Sequence, residues 1–342
     1  MPHDQDQARE GRGIMKDKHI LVTGGFGFLG SHLVERLLVD EDARVHVVDN
    51  LSTSPLDHEA FVRRVNDPRL TYDVLSIEDF FARGSFGPYQ EIYHLASVVG
   101  PVGVLGHAGK ITKSITDDTY RVIDIANRTN ARLCDVSTSE IYGGGRDGYC
   151  SENDSKIITP KVSVRLEYAV AKLACEIALV NTCKVSDLFA VIIRPFNIAG
   201  PRQSGKGGFV LPRFIKQCLA GEPLTVYGDG GMIRAFTHVI DVADGIVRAA
   251  RHGRRGEAYN IGNPQNKISI RELAERTVRI TASESRIDYV DPKALFGPLF
   301  EEANDKYPDA DKAMGELGWR PRFDLDTVIR DSVEYIRAGR LD

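Results

Sequence analysis

His19-Ile20-Leu21-Val22-Thr23-Gly24-Gly25-Phe26-Gly27-Phe28-Leu29-Gly30 decides the fold of this chain. Residues 19–23 read as a short buried strand that runs straight into a glycine-rich turn, and Ser31 to Val39 continue as an apolar-periodic helix. Glycines at 24, 27 and 30 permit a tight turn, close approach of backbone to a pyrophosphate, and close packing of helix on strand. The helix start offers unpaired N–H groups and a positive dipole end to phosphate. The next strand, Arg44-Val45-His46-Val47-Val48, ends in Asp49, about 20 residues on. A carboxylate there accepts hydrogen bonds from an adenosine ribose diol and repels a 2′-phosphate, so the pattern predicts NAD and disfavours NADP.

Strand-like runs at 19–23, 44–49, 69–74, 91–97, 131–137 and 189–194 alternate with helical patterns at 31–39, 112–129 and 164–183. That alternation predicts an α/β fold with a doubly wound parallel sheet of the Rossmann type. Beyond Pro195 the pattern loosens. A strand at Leu224-Thr225-Val226-Tyr227, helices near 212–220, 238–251, 269–280 and 308–317, and many glycines predict a smaller C-terminal α/β substrate lobe. The expected division is a disordered segment 1–17, a NAD-binding domain 18–195 and a substrate lobe 196–342, with some chain crossing back; Met15 is an alternative start. Motifs at 24–30, 49, 94–97, 137–140 and 194–197 all fall at predicted strand ends. Such sheets bind ligands beyond the carboxyl ends of their strands, so these motifs converge on one cleft.

The 342 residues are 42% hydrophobic, enough for a full core. A formal net charge of −4 argues against a nucleic-acid partner. No run approaches the ~20 apolar residues of a membrane span, and the first fourteen residues lack a signal-peptide core, so no membrane partner is expected. Cys134, Cys150, Cys175, Cys183 and Cys218 are odd in number and scattered, which suggests neither a disulfide framework nor a metal site and fits a cytoplasmic protein.

The chemistry is read from Tyr168-Ala169-Val170-Ala171-Lys172, downstream of Ser137-Thr138-Ser139-Glu140. Residues four apart share a helix face, which sets the Lys172 ammonium beside the Tyr168 phenol. An adjacent fixed cation favours phenolate and brings a group that ionises near pH ~10 toward general-base work.

With the glycine motif, Asp49, His94-Leu95-Ala96-Ser97, Ser137 to Gly143, Tyr168/Lys172 and Arg194-Pro195-Phe196-Asn197 in order, the chain resembles the extended short-chain dehydrogenase/reductases that modify nucleotide sugars. The likeness runs from Lys18 to Leu317-Gly318-Trp319-Arg320-Pro321. It implies cofactor contacts at Gly24, Gly27, Phe28, Leu29, Gly30, Asp49, Asn50, Leu95, Ala96, Ser97 and Lys172. It further implies that Tyr168 takes the proton of the sugar 4-hydroxyl while hydride passes to bound NAD, with Thr138 on the same oxygen. Glu140 then separates the branches. Ser139-Glu140 looks like the UDP-glucuronate decarboxylases, and also like GDP-mannose dehydratases, whereas 4-epimerases usually carry no acid there. For the sugar nucleotide the resemblance points to Ser139, to Asn197 and Arg234 at the diphosphate, to Arg202 and Lys306 as further cations, and to Val226 and Tyr227 along base and ribose. Lys306 stands where those decarboxylases carry arginine, and Phe209 where another branch does. A UDP-sugar and a homodimer are expected. The resemblance is nearest to the UDP-glucuronate decarboxylases and implies that reaction, with an NDP-sugar 4-epimerase or 4,6-dehydratase as the alternative and a non-catalytic NAD sensor more remote.

Overall fold

The chain runs β1 (Lys18–Thr23), α1 (Phe28–Leu38), β2 (Ala43–Asp49), α2 (His58–Val65), β3 (Leu70–Val74), α3 (Ile77–Ala82), β4 (Glu91–His94), α4 (Ile111–Thr129) and β5 (Arg132–Val136). It continues through β6 (Tyr149–Cys150), α5 (Val164–Val185), β7 (Phe189–Pro195), β8 (Ile198–Ala199), α6 (Val210–Ala220), β9 (Leu224–Tyr227), β10 (Ile233–Ala235) and β11 (Thr237–His238). Then follow α7 (Val239–His252), β12 (Ala258–Ile261), β13 (Lys267–Ser269), α8 (Ile270–Thr281), β14 (Ile287–Val290), α9 (Pro292–Phe296), β15 (Tyr307–Pro308), α10 (Asp311–Glu316) and α11 (Leu325–Arg337). This computed structural model describes residues 17–143, 149–158, 160, 162–297, 299–301 and 305–339. The expected N-terminal segment 1–17 therefore lies, save for Asp17, outside the described residues.

Seven strands form one parallel sheet in the order β12-β7-β5-β4-β1-β2-β3. Strand order reverses between β1 and β4, and the crevice for a ligand opens at their carboxyl ends. One face is covered by α1, α2 and α7, the other by α3, α4 and α5, and a continuous apolar layer fills each side. Being buried on both faces is why β1 and β7 read as near-continuous Ile, Leu, Val and Ala runs instead of alternating ones.

A third core unites α6, α8, α11 and β9 into the second lobe. The chain after residue 195 does not belong to that lobe alone. It returns to the sheet through α7, which packs on α1, and through β12, which pairs with β7. Trp319, fully buried, donates from Nε1 to the Asp241 carbonyl at 2.8 Å and fastens the C-terminal segment to α7. Removing about 200 Å² of indole from water contributes about 5 kcal/mol to that junction. Four helices, α2, α3, α9 and α11, and the seventh strand β12 went unread in the sequence. Asp57, Ser76, Asp291 and Asp324 cap those helices by accepting from backbone N–H groups. Among the described residues no helix is long and apolar enough to cross a membrane.

Candidate active site

The turn after β1 has no room for side chains where it must be tight. Gly24 has φ +71°, and a Cβ there would lie 2.8 Å from the Ala96 amide nitrogen; a Cβ on Gly30 would lie 2.0 Å from the Gly24 carbonyl oxygen. Helix α1 starts at Phe28 with Gly27 as its cap residue and no side chain accepting its first N–H groups. Those donors face the cleft, and Gly24, Gly27, Phe28, Leu29 and Gly30 line it.

Asp49, 8% exposed at the end of β2, ties the turn together. Its carboxylate accepts from the Phe26 N–H at 2.9 Å and the Leu51 N–H at 2.8 Å. Burial pushes its pKa up against those bonds. One N–H on each oxygen leaves lone pairs for a ribose diol. Asn50 flanks it, while Leu95, Ala96 and Ser97 form the opposite wall at the end of β4. The residues therefore fit NAD, with its pyrophosphate on α1 and its adenosine ribose against Asp49.

Helix α5 brings the reactive groups to the same cleft. Ser163 caps it by accepting from the Leu166 N–H at 3.2 Å. Tyr168, Lys172 and Glu176, one turn apart, form a polar stripe turned toward the sheet ends. Lys172 Nζ donates to the Val136 carbonyl at 3.0 Å. Glu176 is clamped by Arg194, with Nη2 to Oε2 at 2.6 Å, and also accepts from the Ser137 hydroxyl. Arg194 reaches on to Tyr142 Oη at 2.9 Å, and Tyr142 donates to Asn260 at 2.7 Å, so a buried network fixes the floor of the site.

The balance at Tyr168 differs from the expectation. The phenol is only 9% exposed, and burial raises its pKa above the ordinary value, while Lys172 and a hydrogen bond with Thr138 pull it down without prevailing. Desolvation of the phenolate outweighs one cation in the protein alone. Thr138 caps the turn Ser139–Tyr142 by accepting from the Glu140 N–H at 3.1 Å, which also places Ser139 and Glu140 on the cleft wall.

Glu140 is not an isolated acid. Arg165 holds Oε2 with Nε and Nη2, both at 2.7 Å, and the Lys306 ammonium meets Oε1 as an ion pair. Burial would raise the carboxyl, yet the Lys306 and Arg165 charges hold it far below the usual carboxylate range. Lys306 is 2% exposed, and burial pushes it down to about 8. Lys306 comes to Glu140 because β15 pairs with β6 and Lys306 bridges Arg234, a pairing across some seventy residues. Sequence reasoning assigned no role to Arg165, although its place three residues before Tyr168 puts it on the same helix face.

The remaining expected contacts divide. Asn197, held in the left-handed region at φ 31°, Tyr227 and Arg234 line the far end of the cleft. There the Arg213 guanidinium stacks over Tyr227 at 3.9 Å from the ring centre. Arg202 also lines the cleft but lies on the α1 side, donating to Glu35 at 2.6 Å and to Ser31 at 3.1 Å, away from Arg234. Val226 is 0% exposed and packs into the second core, so its side chain touches no ligand; only Tyr227, the outward residue of the alternating strand, is available. The glycine-rich stretch after Ser97 also lines the cleft, and the Val102 N–H donates to the Gly207 carbonyl at 3.1 Å, joining the two lobes over the sugar end.

The cleft has a volume of about 1820 Å³. Single-ligand pockets hold ~300–1,000 Å³, so it has space for a dinucleotide and a second nucleotide-sized molecule end to end. Among the described residues no cluster of His, Cys, Asp or Glu is arranged to hold a metal ion. All five cysteines are buried thiols.

Comparison with known proteins agrees with this geometry. The profile of the "NAD dependent epimerase/dehydratase family" matches residues 20–262. The chain is 30% identical to the UDP-N-acetyl-alpha-D-glucosaminuronate decarboxylase of Bacillus cytotoxicus over 94% of its own length and 98% of that protein. It is 32% identical to UDP-glucuronic acid decarboxylase 1 of Xenopus tropicalis over 94% of its length and 72% of that protein. The solved UDP-glucuronic acid 4-epimerase of Bacillus cereus, in complex with UDP-glucuronic acid and NAD, superimposes with a TM-score of 0.81 at 25% identity, covering 94% of this chain and 99% of that one. A glycine turn built for pyrophosphate, a Tyr/Lys pair above the sheet and matches over nearly the whole length place this chain in the NAD-dependent epimerase/dehydratase family.

Proposed function

We propose that this enzyme decarboxylates a UDP-linked hexuronate by transient oxidation at C4. The observation that carries the reading is the pairing of Arg165 and Lys306 with the one Glu140 carboxylate, beside Thr138 and Tyr168. Two cations on that carboxylate suit the site to a further anion, the carboxylate of an acidic sugar. The decarboxylases to which the chain is similar act on uronic acid nucleotides by their names, which supports the same substrate class here.

In the proposed reaction Tyr168 removes the proton of the sugar 4-hydroxyl, with Thr138 hydrogen-bonded to the same oxygen. NAD, when bound, accepts the C4 hydride and later returns it. Oxidation at C4 makes the C5 carboxylate a β-keto acid. Its C5–CO2 bond breaks, the electron pair enters the 4-ketone, and a proton must then reach C5. Glu140, held ionised, is a poor donor for that proton; it orders the cations instead. Lys306, pushed down to about 8, is the group in the cluster poised to release a proton near neutral pH. After reduction at C4 the product is a UDP-pentose, with CO2 released and no net change in NAD.

Products formed from UDP-glucuronate by the NAD-loaded enzyme test this reading. CO2 with a UDP-pentose supports it, and loss of both in Tyr168→Phe ties the chemistry to the phenol. UDP-galacturonate as the only product would make the enzyme a 4-epimerase and sink the decarboxylase reading.

A homodimer through α4 and α5 belongs to the same proposal. Tyr120 (58% exposed), Ile177 (54%) and Val170 (37%) leave apolar surface on that helix pair, as an isologous interface requires.

A further inference from the structure

The row of residues Thr23, His94 and Asp135 crosses β1, β4 and β5 in register, on the face covered by α4 and α5 and directly beneath Lys172. All three are at most 2% exposed. Leu133, two residues before Asp135 on the same face, belongs to the apolar layer, so an acid at 135 interrupts a stripe that packing alone would fill with a hydrocarbon.

The proton positions in this row follow from counting. Thr23 Oγ1 accepts from the Ala96 N–H at 3.3 Å and shares the Leu95 N–H, 3.2 Å away, with the Thr23 carbonyl at 3.1 Å, so two N–H groups point at its lone pairs. Its own hydrogen is then left for His94 Nδ1 at 2.7 Å, and the imidazole proton must sit on Nε2. Burial and Lys172 push His94 down to about 3, so the ring is neutral. Its Nε2–H faces Asp135 Oδ1 at 4.0 Å, too far for a hydrogen bond. Both Asp135 oxygens therefore lack a hydrogen-bond partner among the described residues. A carboxylate buried without a partner is costly, and here it lies under the reacting groups.

From α5, Tyr168, Lys172, Cys175 and Glu176 face this carboxylate; from α4, Thr119 reaches Cys175. Glu176 is already neutralised by Arg194, and Cys175 is pushed up by burial. Lys172 is the cation that answers Asp135, and the Tyr168 phenol, once ionised, meets two like charges, Glu140 on the cleft wall and Asp135 beneath.

We propose that Asp135 is a positioning residue acting through the Tyr168–Lys172 pair: its ionised carboxylate opposes the Tyr168 phenolate and adds to burial and Glu140 in raising the pH above which Tyr168 works as a base. This rests on Tyr168 being the base, and not on which sugar is bound. Asp135 is 1% exposed and is not part of the cleft lining. Burial pushes its own carboxyl up to about 6, so it is charged at neutral pH and above and is discharged in mild acid.

The test uses the NAD-loaded full chain carrying Asp135→Asn or Asp135→Leu; the leucine matches the apolar layer and keeps a folded comparison if the amide destabilises. The first readout is the tyrosinate absorbance of Tyr168, taken as the difference between each variant and the same variant carrying Tyr168→Phe. The second is the acid limb of the pH dependence of NADH formation on mixing with UDP-glucuronate. Both variants should titrate Tyr168 at lower pH than the unmodified chain, with the acid limb moving the same way. A Tyr168 titration unchanged in both variants overturns the proposal, whatever their stability. A shifted titration with no NADH formed upholds it and counts only against UDP-glucuronate as substrate.

Discussion

Glu140→Gln, made alone and together with Lys306→Met, tests the electrostatics of the cluster. At pH 7 the glutamine leaves Lys306, 3% exposed in its side chain, without its carboxylate partner and beside the like charges of Arg165 and Arg234. The loss is bounded, because Lys306 can give up its proton. With Lys306 at about 8, deprotonation at pH 7 costs about 1.4 kcal/mol, one pH unit's worth. Arg165, 24% exposed in its side chain, adds about 1 kcal/mol when its partner goes. The single variant should therefore lose about 2–2.5 kcal/mol in urea unfolding at pH 7. The ceiling on the Lys306 part rises by about 1.4 kcal/mol for each pH unit below 8 and shrinks toward zero at 8, so the penalty is larger at pH 6 than at pH 8. Glu140 itself contributes no slope in that window. Its folded value lies below the ordinary carboxylate range, so its stabilisation is complete above about 4.5 and is lost only in stronger acid. In the Lys306→Met background the Glu140→Gln penalty should fall to about 1 kcal/mol and become flat between pH 6 and 8. A penalty independent of pH in the Lys306 background, or equal in both backgrounds, would refute the coupling.

Two further outcomes follow. Gly30→Ala places a Cβ 2.0 Å from the Gly24 carbonyl oxygen, where only backbone can yield. Overpacking of ~1–3 kcal/mol at the pyrophosphate turn should weaken NAD binding by about 10- to 100-fold in a fluorescence or calorimetric titration, and unchanged affinity would contradict the fit. The α4/α5 face predicts a dimer mass by light scattering at micromolar concentration, and Ile177→Glu should give monomers; a monomer mass for the unmodified chain removes that interface.

What the sequence revealed was local. Gly24 to Gly30 and Asp49 were legible because turn, helix start and acid are fixed by short-range geometry, and Tyr168/Lys172 because one helical turn relates them. Lys306 was expected as a cation near the diphosphate; its place against Glu140 depends on β15 pairing with β6, and no local pattern encodes that. Val226 was misread, although the strand's own period separates it from Tyr227: inward residues alternate with outward ones, and 226 faces the core. Arg202 looked like a member of the Arg234 group because both are cations after β7, but the left-handed backbone at Arg202, φ 71°, precedes a side chain that returns to α1. The effect of burial on Tyr168 was also hidden, since helix spacing shows a neighbouring ammonium and not how little water surrounds the phenol. Asp135 carried a signal that went unused, an acid inside a strand otherwise apolar on that face.

The most direct measurement follows deuterium from UDP-[4-2H]glucuronate through a complete turnover of the NAD-loaded enzyme. Hydride abstraction and return at C4, with carbon dioxide lost between them, predicts a UDP-pentose that keeps the label at C4. No carbon dioxide, or a pentose whose C4 label has exchanged for solvent hydrogen, would contradict the account.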